Sequence, residues 1–316
     1  MQSRLLGATG LRVSSLALGT MTWGSVTDEH EAREQLAGFT EAGGTLVDTA
    51  AGYGDGASEA LLGSLLQERV VARDDVVLAT KGGITWRGGN RGVDTSRGGL
   101  LTGLDASLKR LGVDHVDLWQ VHVWSTEVPL EETLTALDMA LSSGRAAYVG
   151  VSNYSGWQTA QAATWQRAVP GRATLASTQV EYSLLARDVE YEVLPATDAL
   201  GMGLLAWSPL AGGVLTGKYR TGIPTHSRGA DPNFSARVDA FDDERSRGIV
   251  TAVAKAAEGL EWTPLQVSLA WVRDRPGVTA PILGARTAAQ LKEALQVADL
   301  TLPPEIALAL DDVSAV

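Results

Sequence analysis

Along the chain, short apolar runs alternate with stretches whose apolar positions recur at helical spacing. "SLALGT" (15–20), "TLVD" (45–48), "DVVLATK" (75–81), "HVDLWQVH" (115–122), "AAYVGVSN" (146–153), "LASTQVEY" (175–182), "MGLLAWSPL" (202–210) and "VTAPILG" (278–284) read as strands. Between them, "SEALLGSLLQER" (58–69), "RGGLLTGLDASLKRLG" (97–112), "LEETLTALDMALSSG" (130–144), a segment from Trp157 to Arg167 and "DVEYEVLPATDALG" (188–201) read as helices, with Gly144 ending the third. Eight strands alternating with helices over 316 residues predict an α/β fold of (β/α)8 TIM-barrel type, as a single domain spanning 1–316. No G-x-G-x-x-G follows an early strand, which weakens a doubly wound alternative. "RLLGATGLRV" (4–13) predicts an N-terminal β-hairpin capping the barrel bottom. Residues 209–241, with Gly212, Gly213, Gly217, Gly222, Gly229 and three prolines, break the rhythm. Loops of that length are usually functional or disordered, and this one follows the seventh strand, where barrel enzymes often bind phosphate.

Composition narrows the function classes. A hydrophobic fraction of 45% suits a globular domain, and a net charge of −11 argues against nucleic acid and anionic membrane as partners. The absence of cysteine excludes disulfides, thiolate nucleophiles and zinc–sulfur sites. His30, His115, His122 and His226 are scattered without metal-ligand spacing, so no metal is expected. No window reaches the length of a membrane span and no signal-type apolar stretch opens the chain, so a cytoplasmic protein is the expectation, and the acceptor-like "NYS" at Asn153 is read as accidental. Oligomeric state leaves no trace in the pattern.

The strand ends carry the chemistry. In a barrel of this type the C-terminal ends of the strands form the active-site mouth. Here they are Asp48, Lys81, His122, Ser152–Asn153, Gln179 and Trp207–Ser208. Period-2 alternation puts Val77, Ala79 and Lys81 on one face, and Val116, Leu118, Gln120 and His122 on another. Singly, each has an ordinary reading: a solvated rim lysine, a structural histidine, a local turn at Asp48–Thr49. Together they describe a proton donor. A buried lysine beside a phenol favours the phenolate and lowers its pKa from about 10. A carboxylate keeps that lysine charged and aimed, and a histidine orients a carbonyl oxygen from another side. The bend "AAGYGDG" after Asp48 then serves to carry Tyr53 over the mouth.

"VDTAAGYGDGASEALLG" (47–63), "LATK", "LWQVH", "GVSN" and "ILGARTAAQL", in this order over nearly the whole chain, resemble the signature motifs of the aldo-keto reductase superfamily. The resemblance implies Tyr53 as general acid with Asp48, Lys81 and His122, and an NADP(H) cofactor that passes hydride to the carbonyl carbon of a small-molecule aldehyde or ketone. It further implies that Gly19 and Thr20, at the end of the first strand, belong to the cofactor site, and that Ser152, Asn153 and Gln179 hold the nicotinamide carboxamide. Trp207 would stack on that ring, and the long loop would clamp the cofactor through Ser208, Pro209, Leu210, Gly212, Lys218 and Arg228. Gly284, Arg286, Gln290 and Glu293 would meet the 2′-phosphate and adenine. Ala294 departs from a frequent asparagine of the family. A tryptophan at 207, together with "TGIPTHSR", is similar to the potassium-channel β-subunit branch and its bacterial relatives. Trp23, Trp86 and Trp124, in loops after the first, third and fourth strands, are expected to wall a substrate pocket. Two other functions compete: a redox-sensing binding subunit, and a Schiff-base aldolase using Lys81. The latter needs a lysine of depressed pKa, whereas Asp48 is positioned to keep this one charged.

Overall fold

The computed structural model describes residues 1–225, 227–232 and 234–315. Two short strands, β1 (Ser3–Leu5) and β2 (Arg12–Ser14), pair antiparallel at the N-terminus. The barrel strands are β3 (Ala17–Gly19), β4 (Leu46–Asp48), β5 (Val77–Gly82), β8 (Val116–Val121), β9 (Ala146–Ser152), β10 (Leu175–Glu181), β11 (Gly203–Trp207) and β12 (Val278–Leu283). A second antiparallel pair, β6 (Ile84–Arg87) and β7 (Asn90–Val93), follows β5. The eight parallel strands close in the order β10-β11-β12-β3-β4-β5-β8-β9. All eight lie where the apolar runs predict them, with ends that differ from the predicted ones by a few residues at most.

The interior of the ring is a packed core, as small aliphatic side chains on the inward positions require. Ala17, Leu46, Ala79, Leu118, Ala176, Leu205, Ala280 and Ile282 fill it, and Leu6 and Val13 of the N-terminal hairpin join the same cluster. The predicted hairpin therefore plugs the barrel from below. Gly7 makes the plug possible: at φ 58° its missing side chain would lie 2.5 Å from the carbonyl oxygen of Gly201. A larger apolar cluster occupies the layer between strands and outer helices.

The helices form where periodicity and caps agree. Arg97–Leu111 starts on a Ser96 cap and ends at Gly112 in the left-handed conformation. Pro264–Arg273 carries a Thr263–Gln266 capping box with proline at its first turn. Two departures stand out. The predicted helix over 188–201 is split into a single turn, Asp188–Glu190, and a short helix, Val193–Ala199. Arg187 grips Glu190 through both carboxylate oxygens, and Tyr182 donates to the same group, which fixes the turn separately. The loop after β11 contains three short helical pieces, Ala211–Thr216, Arg228–Ala230 and Ser235–Asp239. His226, within "TGIPTHSR", lies outside the described residues. No helix among the described residues is long and apolar enough to cross a membrane.

Candidate active site

At the mouth of the ring β4 ends on Asp48, which is 2% exposed, and β5 carries Lys81, which is 1% exposed. Two charges survive such burial only when paired and hydrogen-bonded. Lys81 Nζ donates to Asp48 Oδ2 at 2.6 Å, to the carbonyl of Thr49 at 2.9 Å and to the hydroxyl of Tyr53 at 3.2 Å. All three ammonium protons are thus directed. Gln179 Nε2 donates to the other oxygen of Asp48 at 2.9 Å, so the carboxylate is held from two strands. The bend 49–56 turns Tyr53 back over this pair. Gly54 and Asp55 both adopt positive φ, and Gly56 at φ 90° opens the helix Ala57–Gln67. Thr20 holds the bend from the first loop: its N–H and hydroxyl donate to the Asp48 carbonyl, and the hydroxyl meets Ser58 Oγ at 2.8 Å.

His122 stands at the end of β8, its ring edge-on to Tyr53 with centroids 5.7 Å apart. It is 8% exposed and its Nδ1 is buried without a partner among the described residues. Burial pushes its pKa well below the ordinary histidine value, and the charges of Lys81 and Arg91 push the same way, so the ring is neutral at neutral pH. Burial also raises the pKa of Tyr53, and Lys81 only partly opposes it. This corrects the expectation that the lysine brings the phenol below its ordinary value: desolvation of the phenolate outweighs the cation, and Tyr53 keeps its proton. For Lys81, burial alone would lower the pKa, but Asp48 and Tyr53 more than offset it, and the net shift is upward. The site therefore holds a neutral phenol poised on a fixed ammonium, opposite a neutral imidazole.

The remaining predicted residues line the rim in a connected set. Asn153 adopts φ 58°, a left-handed conformation that asparagine tolerates better than most residues, and donates to the His122 carbonyl at 2.9 Å and to Ser152 Oγ at 3.1 Å. Ser152 in turn donates to the Gln179 carbonyl. Trp207 Nε1 donates to Asn153 Oδ1 at 3.0 Å, which fixes the indole at the rim. Ser208 and Ala211 also have positive φ, and Ser208 Oγ accepts from the Gly212 N–H. Pro209 is buried and Leu210 half-buried at the start of the long loop. Gly19 ends β3 where a side chain would strike Ile282 at 2.7 Å.

Further round the rim three cations gather. Arg228 Nη2 donates to the carbonyl of Gly284 at 3.1 Å, an approach that a side chain at 284 would block. Its pKa is lowered by burial and then by Arg286, and that of Lys218 by burial and by both arginines. Neither Lys218 nor Arg228 forms an ion pair with a carboxylate among the described residues. Arg286 precedes the helix Ala288–Leu295, its N–H bonded to Gln290 Oε1, with Thr287 as the cap and Glu293 half-buried one turn on. Cations gathered beside a helix start match the chemistry of a phosphate ester.

The three tryptophans expected around a substrate divide. Trp86, on β6, donates its N–H to the Gly52 carbonyl at 2.9 Å and overhangs the bend. Trp124 packs edge-on against Tyr154 and Trp157, at 5.0 and 5.4 Å between centroids. Trp23 does not wall the mouth. It is fully buried, with its N–H on Gln35 Oε1, because the loop after β3 folds back on itself at Thr27 and tucks the indole under the helix Glu29–Glu41. Three rim residues were missed: Arg91 on β7, Trp157, and Arg237 in the long loop. Gly88 and Gly89, both at positive φ, are a hairpin signal that would have revealed β6 and β7. Among the described residues no cluster suits a metal ion.

A parallel barrel with a lysine–carboxylate–phenol cluster at its C-terminal mouth defines a class of barrel proteins whose site is able to pass a proton. Residues 15–315 match the model of the Aldo/keto reductase family, and the chain belongs to that family. It is 37% identical over 323 residues to the uncharacterized oxidoreductase YrpG of Bacillus subtilis, covering 99% of this chain and 96% of that one. A probable voltage-gated potassium channel subunit beta of Arabidopsis thaliana is 36% identical, covering 100% and 96%. The L-glyceraldehyde 3-phosphate reductase of Escherichia coli is 35% identical, covering 94% and 87%. Family and relatives support an oxidoreductase.

Proposed function

We propose that this chain reduces an aldehyde or ketone to an alcohol with NADPH, the proton coming from Tyr53. The observation that carries this reading is the buried contact of Lys81 Nζ with both Asp48, at 2.6 Å, and the Tyr53 hydroxyl, at 3.2 Å. Bound NADPH would supply the hydride that converts the carbonyl carbon. The chain's part is to hold the carbonyl oxygen between the Tyr53 hydroxyl and the neutral imidazole of His122 and to give it a proton. As negative charge grows on that oxygen, Lys81 stabilises the tyrosinate left behind, in a site where low dielectric strengthens the interaction. One hydride and one proton added to C=O give the alcohol, and a proton from water restores Tyr53. No hydrogen bond among the described residues occupies the His122 ring, which supports a ring free to meet the substrate. Lys218, Arg228 and Arg286 would hold the 2′-phosphate, and Trp207, Asn153 and Gln179 the nicotinamide end.

A Schiff-base role for Lys81 is disfavoured by its upward pKa shift, since the nucleophile is the neutral amine. A second reading, an NADP(H)-binding subunit whose partner is another protein, rests on the likeness to the Arabidopsis chain. The two separate on one experiment. A panel of carbonyl compounds is offered with NADPH, and consumption of the reduced cofactor is followed. Turnover in the wild type that disappears in Tyr53→Phe supports the reductase. Cofactor bound without turnover across the panel supports the subunit.

A further inference from the structure

The mouth carries two cations that the proton-transfer machinery does not use. Arg91 lies on β7 directly opposite Trp86 in the antiparallel register. Directly opposed residues share a face of a hairpin. Trp86 is tied to the Gly52 carbonyl, so that face looks onto the bend bearing Tyr53. Arg237 comes from the loop after β11 and stacks its guanidinium over the Trp207 ring, 4.9 Å from the centroid. β5, which leads into the Arg91 hairpin, and β11, which leads into the Arg237 loop, are four strands apart in a ring of eight. The two arginines therefore enter from opposite sides of the mouth, with Tyr53 and His122 between them. Both side chains are exposed, and neither forms an ion pair among the described residues.

The fields of both reach the reacting groups. Arg91 helps hold His122 neutral, and Arg237 acts on Tyr53. Glu181 stands on the inward face of β10 one position above Gln179, and Arg237 is felt there too, but at more than ion-pair distance; burial raises the Glu181 pKa. On a chain of net charge −11, two cations without ion pairs on both sides of one opening make a local positive field that attracts an anion.

We propose that Arg237 and Arg91 form the subsite for an anionic group of the substrate, so that this chain prefers carbonyl compounds bearing a carboxylate or phosphate to their neutral counterparts. The inference rests on the reductase reading and adds the substrate class to it. Guanidinium groups bind either anion through paired N–H donors. The half-exposed indoles of Trp86 and Trp124 would flank the carbon skeleton.

The test uses substrates matched in shape and differing in charge: 4-formylbenzoate against 4-formylbenzamide, and glyceraldehyde 3-phosphate against glyceraldehyde. The expected kcat/KM ratio, anion over neutral, is about tenfold or more for the favoured anion, and it falls towards one in Arg237→Gln and Arg91→Gln. Lysine at either position restores part of it, and added salt erodes it. The two pairs separate carboxylate from phosphate as the group received. A second readout needs no turnover. Trp207 lies beneath Arg237, so tryptophan fluorescence should report 4-(hydroxymethyl)benzoate binding about tenfold more tightly than its amide, with the difference shrinking in both variants. Equal efficiency and equal affinity for charged and neutral partners, or ratios unchanged in both variants, overturns the inference and leaves the reductase reading intact. No turnover of any compound, with product analogues bound alike, contradicts both.

Discussion

Two charged regions of this molecule are built from the same residue types and end differently. In the clasp that docks the C-terminal helix, every arginine has its partner. Arg275 chelates Asp311 with Nη1 at 2.8 and 2.7 Å, and Arg187 takes both oxygens of Glu190, the Asp311 carbonyl and Ser314 Oγ. Both guanidiniums lie over the Trp271 ring, whose N–H is on Asp311. At the barrel mouth, by contrast, Lys218 and Arg228 have no carboxylate partner among the described residues and have their pKa values lowered by burial and by neighbouring arginines, Arg91 and Arg237 have no ion pair there, and His122 Nδ1, Gln120 Nε2 and Glu181 Oε1 are buried without partners among the described residues. Satisfied networks fix a fold, and several unpaired groups gathered at one opening give something outside the chain a place to complete the set. The exception inside the mouth is the Asp48–Lys81–Gln179 group, which is closed as tightly as the clasp. It is a fixed, buried group on which the Tyr53 hydroxyl rests.

Breaking the proton donor should have the largest effect. Tyr53→Phe keeps the ring volume and removes the hydroxyl, so kcat is expected to fall by about 10² to 10⁴, with cofactor affinity near wild type. Retention of more than about a tenth of turnover would show that the proton comes from elsewhere. Lys81→Met should come next. Without the ammonium the phenolate loses its stabilising charge, so the rate drops by about tenfold or more, and any residual alkaline limb moves to higher pH. A pH–rate profile coincident with wild type would contradict the coupling.

The clasp gives the contrasting result. Asp311→Ala strips Arg275 and Trp271 of an acceptor and should lower the free energy of unfolding by about 2 kcal/mol, since a hydrogen bond to a charged group contributes about 1.5–3. Steady-state kinetics measured below the unfolding transition should stay unchanged. A kinetic defect with undiminished stability would mean that the two regions are not separate.

The smallest effect is a pH dependence. The folded state holds His122 below its ordinary pKa of about 6.5, while the unfolded chain takes up the proton normally. This group's contribution is therefore fully present above about pH 6.5. It is lost as pH falls towards the folded-state value, at no more than about 1.4 kcal/mol per pH unit. In urea melts across the acid range, wild type should lose stability relative to His122→Gln as pH drops. Parallel curves would mean that His122 titrates normally.

Much of this was legible in the sequence, because barrel architecture converts strand ends into neighbours. Asp48, Lys81, His122, Asn153, Gln179 and Trp207 are far apart in the chain, yet each closes or follows an apolar run, and the ring brings them to one rim. The Gln179–Asp48 bond was not legible, because pattern gives a residue's face but not its partner. Trp23 was misread for a related reason: its position after β3 fits a pocket wall, and only the fold-back at Thr27 and the acceptor on Gln35 draw it inside. The downward pKa expected for Tyr53 failed on magnitude: a nearby cation was visible in the sequence, while the depth of burial that outweighs it was not. Arg91 and Arg237 lie in segments that read simply as loops, where charge is ordinary and direction is set by backbone detail.

The central claim is the proposal that Lys218, Arg228 and Arg286 together receive the 2′-phosphate of NADPH. Titration of NADPH and NADH against tryptophan fluorescence, in wild type and in Arg286→Ala, tests it most directly. With two charge-assisted hydrogen bonds at stake, the account predicts a preference for NADPH on the order of 10²-fold that shrinks sharply in the variant. Equal affinity for the two cofactors, or a preference that survives the loss of Arg286, would contradict it.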